Sequence, residues 1–98
     1  MSASVTIEQK STTLYLIGIL DNHTLERVWL QYSHFSHIDL IDVSALTRVD
    51  SSGLALLTYL CLKYDAVLRG ATPQLRTLVE LYDLEPVVFL NSTNLNNE

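Results

Sequence analysis

The stretch that decides the fold is IDLIDVSALTRVDSSGLALL, residues 38–57. Its first part, Ile38–Val43, alternates loosely between apolar and polar residues, which predicts a strand. Ser44–Val49 is expected to be a short loop. Asp50–Gly53 then supplies the residue types that begin a helix, and Leu54–Lys63 is expected to continue it. Because this strand lies between two predicted helices, it should be central in a sheet and parallel to a neighbour.

Upstream of this stretch, the pattern predicts a β-hairpin followed by a helix. Val5–Lys10 and Thr13–Leu20 are rich in apolar and β-branched residues and read as two strands. The short polar connection between them permits only an antiparallel pair. Asp21–Thr24 is a cluster of turn and cap residues, in which Thr24 or Asn22 could cap the next helix. That helix is expected to have one apolar face, formed by Leu25, Val28, Trp29 and Tyr32.

Downstream, three further elements are expected. Ala66–Arg69 reads as a short strand closed by a glycine. Thr72 and Pro73 are typical of a helix start, with threonine as N-cap and proline at the first helical position. The helix should run from Gln74 to about Tyr82, with one apolar side formed by Leu75, Leu78, Val79 and Tyr82. Pro86–Leu90 is predicted to be a last apolar strand.

The predicted order, ββαβαβαβ, defines the fold class as α/β. It implies a single mixed sheet of about five strands, with an N-terminal hairpin and three helices packed on it. The chain has 98 residues, which suits one domain over residues 1–90. Residues 91–98 are polar and asparagine-rich, and we expect a flexible tail there.

Composition excludes several function classes. The chain has 6 basic and 11 acidic residues and no basic stripe, which argues against nucleic-acid binding and against independent membrane binding. Its apolar runs are far shorter than the roughly 20 residues of a membrane span, and its first residues do not form a signal peptide. A cytoplasmic protein is expected. Cys61, the one cysteine, should be a small buried hydrophobic residue.

Asp50-Ser51-Ser52-Gly53 can be interpreted in two ways. Asp50 and the serines can satisfy the first N–H groups of a helix, so the motif can be a cap and nothing more. The same N–H groups and the helix dipole favour negative charge. A phosphate on Ser51 would therefore be tolerated, and it would add about −1.5 to −2 charge to the surface. The local pattern leaves both interpretations open.

The helix after this motif is apolar on almost all sides over Leu54–Leu62, with Thr58 as the main interruption. A helix on a sheet needs only one apolar stripe. Either neighbouring helices cover the remaining apolar surface, or part of it is a docking patch for another protein.

The segment Asp42–Leu57 resembles the signature of STAS domains, and Gly18-Ile19-Leu20-Asp21 resembles the family's second-strand signature. The resemblance extends from about Val5 to Leu90. In the anti-sigma-factor-antagonist branch, the serine after the aspartate is phosphorylated by a partner kinase, which corresponds to Ser51. Ala55 stands where that branch usually has glycine.

Arg48–Leu57 and the later Leu81–Leu84 are more similar to the cytoplasmic STAS subunit of Mla-type phospholipid ABC transporters. That subunit commonly has threonine at the position of Ser51. The resemblance implies a non-enzymatic subunit without cofactor or metal that binds and supports the transporter ATPase, in a system that maintains outer-membrane lipid asymmetry. It would be peripheral to the inner membrane through this partner, and could self-associate when isolated. The residues implied in partner binding are Asp21, Asp50, Ser51, Ser52, Gly53, Leu54 and Leu57, with Tyr59 a further apolar candidate.

The alternative is an anti-sigma-factor antagonist switched by phosphorylation of Ser51. Other chemistry has little support in the sequence. The spacing of His34 and His37 would suit a metal, but no cysteine or carboxylate cluster completes a site. A hydrolase would need a base for Ser51; His23 is the one candidate, and no oxyanion donors are evident.

Overall fold

A computed structural model describes residues 4–31 and 35–90 of the chain. The strands and helices follow the predicted order up to the last element. They are β1 Val5–Lys10, β2 Thr13–Leu20, α1 Leu25–Gln31, β3 Leu40–Val49, α2 Ser51–Tyr64, β4 Val67–Arg69, α3 Pro73–Leu81 and α4 Glu85–Val88. Within the described ranges, no helix is long and apolar enough to cross a membrane.

The four strands form one mixed sheet in the order β1-β2-β3-β4. β1 and β2 pair antiparallel, whereas β2–β3 and β3–β4 are parallel. The hairpin turns through Ser11, which has a positive φ of 56°. This arrangement confirms the predicted hairpin, the mixed sheet and the central position of β3.

The core lies on one face of the sheet. Alternate strand residues such as Leu14, Leu16 and Ile41 are buried there, whereas Ile17 on the other face is 40% exposed. All four helices contribute to this single core, through Val28, Leu57, Leu60, Leu75, Val79 and Val88. Cys61 is also buried in it, as expected, and burial raises the pKa of its thiol to about 12.

The prediction of a loop over Ser44–Val49 is wrong, because β3 continues to Val49. Leu46 and Val49 are buried, so the apolar positions of this half recur every third residue rather than every second. The register against β2 shifts twice to absorb the extra residues of β3. Such bulges break the alternation by which a strand is recognised in sequence.

The predicted strand over Pro86–Leu90 is also wrong, because Glu85–Val88 forms the short helix α4. The sheet described therefore has four strands rather than about five, with a fourth short helix in place of the last strand. A short apolar run does not distinguish a strand from a buried helical turn, and proline suits the first turn of a helix. The predicted tail, 91–98, lies outside the described residues.

Candidate functional site

Asp50 caps α2, as predicted. It has an extended backbone, and its Oδ1 accepts a hydrogen bond from the Gly53 N–H at 2.8 Å. Its carbonyl oxygen accepts the first helical bond, from the Leu54 N–H at 2.9 Å. The strand β3 therefore passes into α2 within one residue, and the side chains of Ser51 and Ser52 are presented in the first turn of the helix.

The second carboxylate oxygen of Asp50 joins this turn to the neighbouring loop. Oδ2 accepts a hydrogen bond from the Asn22 N–H at 3.2 Å. The Asp50 N–H donates to the Leu20 carbonyl at 3.3 Å. One aspartate thus connects the end of β2, the loop after it and the start of α2.

Asp21, the other acidic residue in the predicted set, is buried within that loop. Its Oδ1 accepts a hydrogen bond from the His23 N–H at 2.9 Å, and its own N–H donates to Thr24 Oγ1 at 3.0 Å. The carboxylate is therefore used to shape the loop that Asp50 contacts. In this structure Asp21 supports the site from beneath rather than forming its surface.

Gly53 lies where α2 passes close to the end of β2. A Cβ atom built on Gly53 would be 2.3 Å from the Leu20 carbonyl oxygen and 3.0 Å from Cγ1 of Val49. No real Cβ occupies such a position, so this turn of α2 can approach the sheet only as glycine. The glycine of the motif is explained by this contact.

Ser51 is exposed and Ser52 is half-buried. Neither hydroxyl has a hydrogen-bond partner within residues 4–31 and 35–90. Both are consequently available to a group outside the described part of the chain.

Leu54 and Leu57 take a different position from the one expected of contact residues, because they are 2% and 0% exposed and pack in the core. The outer face of α2 carries Ala55, Tyr59 and Leu62 instead, and Leu62 is 67% exposed. These residues follow Ser51 and Ser52 at helical spacing on one side.

Grooves run along both flanks of this outer face. One, between α1 and α2, is lined by Leu25, Trp29, Ser52, Ala55, Leu56 and Tyr59. The centroids of the Trp29 and Tyr59 rings are 5.3 Å apart. The other groove is lined by Ser51, Leu54, Ala55, Tyr82 and Leu84. We call the combined exposed surface of Ser51, Ser52, Ala55, Tyr59, Leu62, Trp29 and Tyr82 the α2 surface.

Sequence reasoning missed the positions of Trp29 and Tyr82 on this surface. Both were expected on the buried faces of their helices, where Val28 and Val79 in fact lie. The one available signal is that aromatic rings with a polar edge are common at binding surfaces. It does not distinguish an exposed ring from a buried one.

A separate charged cluster lies on the open face of the sheet. Asp42 accepts hydrogen bonds from the N–H and the hydroxyl of Ser44 at 3.0 and 2.6 Å, and from Nε of Arg69 at 3.0 Å. Partial burial raises the pKa of Asp42, but the hydrogen bonds from Ser44 and the Arg69 guanidinium outweigh burial and hold the pKa below its ordinary value. The cluster stabilises the pairing of β3 with β4 and is not part of the α2 surface.

Metal-ligating side chains do not cluster in the described ranges, where no group of three or more histidine, cysteine or acidic residues could hold an ion. His34, half of the spacing considered above, lies outside those ranges. What the site offers chemically is therefore a pair of hydroxyls at a helix start, beside exposed aromatic and aliphatic side chains.

Comparison with known proteins agrees with this architecture. The family model described as "Mlab, STAS domain" matches residues 3–90. This chain belongs to that STAS family. The STAS domain is 36% identical over 90 residues to the intermembrane phospholipid transport system binding protein MlaB of Escherichia coli strain K12, and equally to that of Shigella flexneri. Each alignment covers 86% of this chain and 93% of the relative.

A solved structure supports the fold. The anti-sigma factor antagonist SpoIIAA in its unphosphorylated form superposes on this STAS domain with a TM-score of 0.57. The match covers 79% of this chain and 82% of SpoIIAA at 18% identity, which shows a shared fold. The family and the fold class expected from the sequence are both confirmed.

Proposed function

We propose that this STAS domain is a non-catalytic subunit that binds the ATPase of an ABC-type phospholipid transport complex and supports its activity. It would act on the cytoplasmic side of the inner membrane, held there by this partner and needing no cofactor. The observation that carries the proposal is the 36% identity, over nearly the whole of both chains, to proteins named as binding proteins of a phospholipid transport system.

The α2 surface is the part of the molecule best suited to the partner. Full burial of a large apolar side chain that starts fully exposed is worth roughly 1.5–3 kcal/mol, and a side chain that is already partly buried gains a corresponding fraction of that. Tyr59, Leu62 and Trp29 are exposed on this surface. A partner that covers these three side chains would remove apolar surface from water at one contiguous site.

Ser51 would orient the partner on the α2 surface through a hydrogen bond of its hydroxyl. Its hydroxyl is exposed, and Asp50 and Gly53 hold it at the first turn of α2. A buried interface leaves few unpaired polar groups, so the partner should pair with this hydroxyl. Because Asp50 and Gly53 shape the turn that carries Ser51, we expect binding to need the whole motif rather than Ser51 alone.

The test is capture of the transport ATPase by purified variants of this STAS domain. Ser51→Glu and Ser51→Arg place a charge at the centre of the proposed contact and should abolish capture while circular dichroism shows an unchanged fold. Thr6→Arg is the control for Ser51→Arg, because it adds the same positive charge at an exposed position of β1 on the open face of the sheet. This variant should still capture the ATPase. Undiminished capture by both Ser51 variants would refute docking through α2.

A second candidate function is an anti-sigma-factor antagonist in which phosphorylation of Ser51 switches partners. The observation that favours it is the exposed hydroxyl of Ser51 at the start of α2, which has no hydrogen-bond partner among the described residues. It requires a kinase and a phosphate on Ser51 in cells. Mass spectrometry of the protein from growing and stationary cells would decide, because an unmodified Ser51 in every condition excludes this function.

A further inference from the structure

Gln74, in the first turn of α3, pairs with the main chain of Val49 in the manner of a neighbouring strand. Its Nε2 donates to the Val49 carbonyl at 2.8 Å, and its Oε1 accepts from the Val49 N–H at 3.2 Å. The two residues are 25 positions apart in the chain. One side-chain amide thus satisfies both main-chain groups of the last residue of β3.

These groups of Val49 have no strand partner on that side because β4 is too short. β4 pairs with Leu40, Ile41 and Asp42 only, whereas β3 continues for seven more residues. On its other side Val49 lies opposite Leu20 of β2. Since half-buried main-chain groups need partners, Gln74 takes the place of the missing strand residue.

This pairing links α2 and α3, which both contribute residues to the α2 surface. Val49 directly precedes Asp50, the cap of α2, and its side chain packs against Gly53. Gln74 lies near the start of α3, and Tyr82 caps its other end, roughly 12 Å further along the helix axis. Tyr82 and Ser51 line the same groove.

Apolar packing alone would leave α3 partly undetermined. Leu75 and Val79 bury the inner side of α3 in the core, which sets its distance from the sheet. Burial is not directional, so it does not prevent small slides or rotations of the helix. The two hydrogen bonds of the Gln74 amide are directional. They fix the start of α3 relative to Val49, the strand end after which α2 begins.

We propose that Gln74 is a positioning residue for partner binding, which places Tyr82 beside Ser51 by holding α3 to Val49. The proposal rests on the proposed function, since it concerns the surface that would receive the ATPase. Gln74 itself touches no partner in this scheme, and its effect is transmitted through α3.

The test compares Gln74→Leu with Gln9→Leu. Gln9 also donates to main-chain carbonyls, those of Ser11 and His37, but at the opposite end of the sheet. Both variants lose main-chain pairing and some stability. At a temperature where both are fully folded, Gln74→Leu should bind the ATPase about tenfold more weakly, the loss expected if only about a tenth of the molecules keep α3 in the binding position without the two hydrogen bonds. Gln9→Leu should stay within about twofold of wild type.

A readout in the free protein separates this proposal from the proposed function. In amide NMR spectra, Gln74→Leu should shift the resonances of Ser51, Ser52 and Tyr82, and Gln9→Leu should leave them in place. If wild type fails to bind the ATPase, the proposed function fails, and the spectra alone still decide the role of Gln74. Shifts confined to Val49 and position 74, or unchanged binding by Gln74→Leu, would overturn the positioning role.

Discussion

The substitution Gly53→Ala separates helix propensity from tertiary packing, because the two effects change the free energy of unfolding in opposite directions. In a helix open to solvent, alanine is more favourable than glycine by about 1 kcal/mol. Here the new Cβ would be 2.3 Å from the Leu20 oxygen and 3.0 Å from the carbon of the same carbonyl. Both are main-chain atoms of a paired strand, and neither can rotate away.

The magnitude follows from how far the helix must move. Real Cβ atoms are essentially never found closer than 3.0 Å to another heavy atom, whereas the new Cβ would be 2.3 Å from the Leu20 oxygen. The start of α2 must therefore move away from Leu20 by 0.7 Å. Overpacking of this kind costs about 1–3 kcal/mol, and the shift also lengthens the Asp50 cap, worth about 1 kcal/mol. The gain in helix propensity is about the same size as the loss of the cap, so we expect a net loss of about 1–3 kcal/mol in the free energy of unfolding.

Urea denaturation followed by circular dichroism and by Trp29 fluorescence measures this loss. In a domain of this size it corresponds to a fall in Tm of roughly 4–24 °C. Ser52→Ala, which introduces the same residue one position earlier, is the control and should stay within about 0.5 kcal/mol of wild type. A Gly53→Ala protein as stable as wild type, or more stable, would show that α2 does not approach Leu20 as closely as described.

Two further predictions concern the carboxylates. Asp50→Ala should lower the free energy of unfolding by about 1–2 kcal/mol, because it removes the α2 cap and the hydrogen bond from Asn22. Asp50→Ser should retain most of the cap. Urea denaturation of the two variants measures the difference. The folded-state pKa of Asp42 is lowered from its ordinary value of 3.8, so its contribution to stability is present above that pH and is lost as the pH falls through the lower folded value. Asp42→Asn should therefore lose less stability than wild type between pH 5 and pH 2 in thermal unfolding, and parallel acid profiles would contradict the role given to Arg69.

Local sequence patterns predicted the elements whose decisive contacts are close in the chain. The Asp50 cap needs only Gly53, three residues later, and the Thr72 hydroxyl likewise accepts from the Leu75 N–H at 3.3 Å. The hairpin of β1 and β2 is closed by a two-residue turn at Ser11. Such contacts depend on residue type and spacing alone, so the sequence is sufficient to predict them.

The wrong predictions concern segments whose structure is decided by distant residues. β3 extends through Ser44–Val49 because β2 pairs with it across two register shifts. The short helix Glu85–Val88 stands where a strand over Pro86–Leu90 was expected, and its Val88 is buried in the shared core. Neither the bulged pairing nor that packing leaves a periodic pattern in the segment itself.

The sequence by itself determined the α/β class, the STAS family and the capped helix start that presents Ser51. Only the tertiary structure decided that Leu54 and Leu57 are core residues and that Tyr59 and Leu62 face outward, because a helix that is apolar all round does not specify which side packs. The same holds for Gln74, a polar residue in a helix turn that gains its role from a strand end 25 residues away. Which side of a helix is buried, and which main-chain groups a side chain pairs with, depend on residues that are distant in the sequence. The residues of the segment itself do not specify these partners.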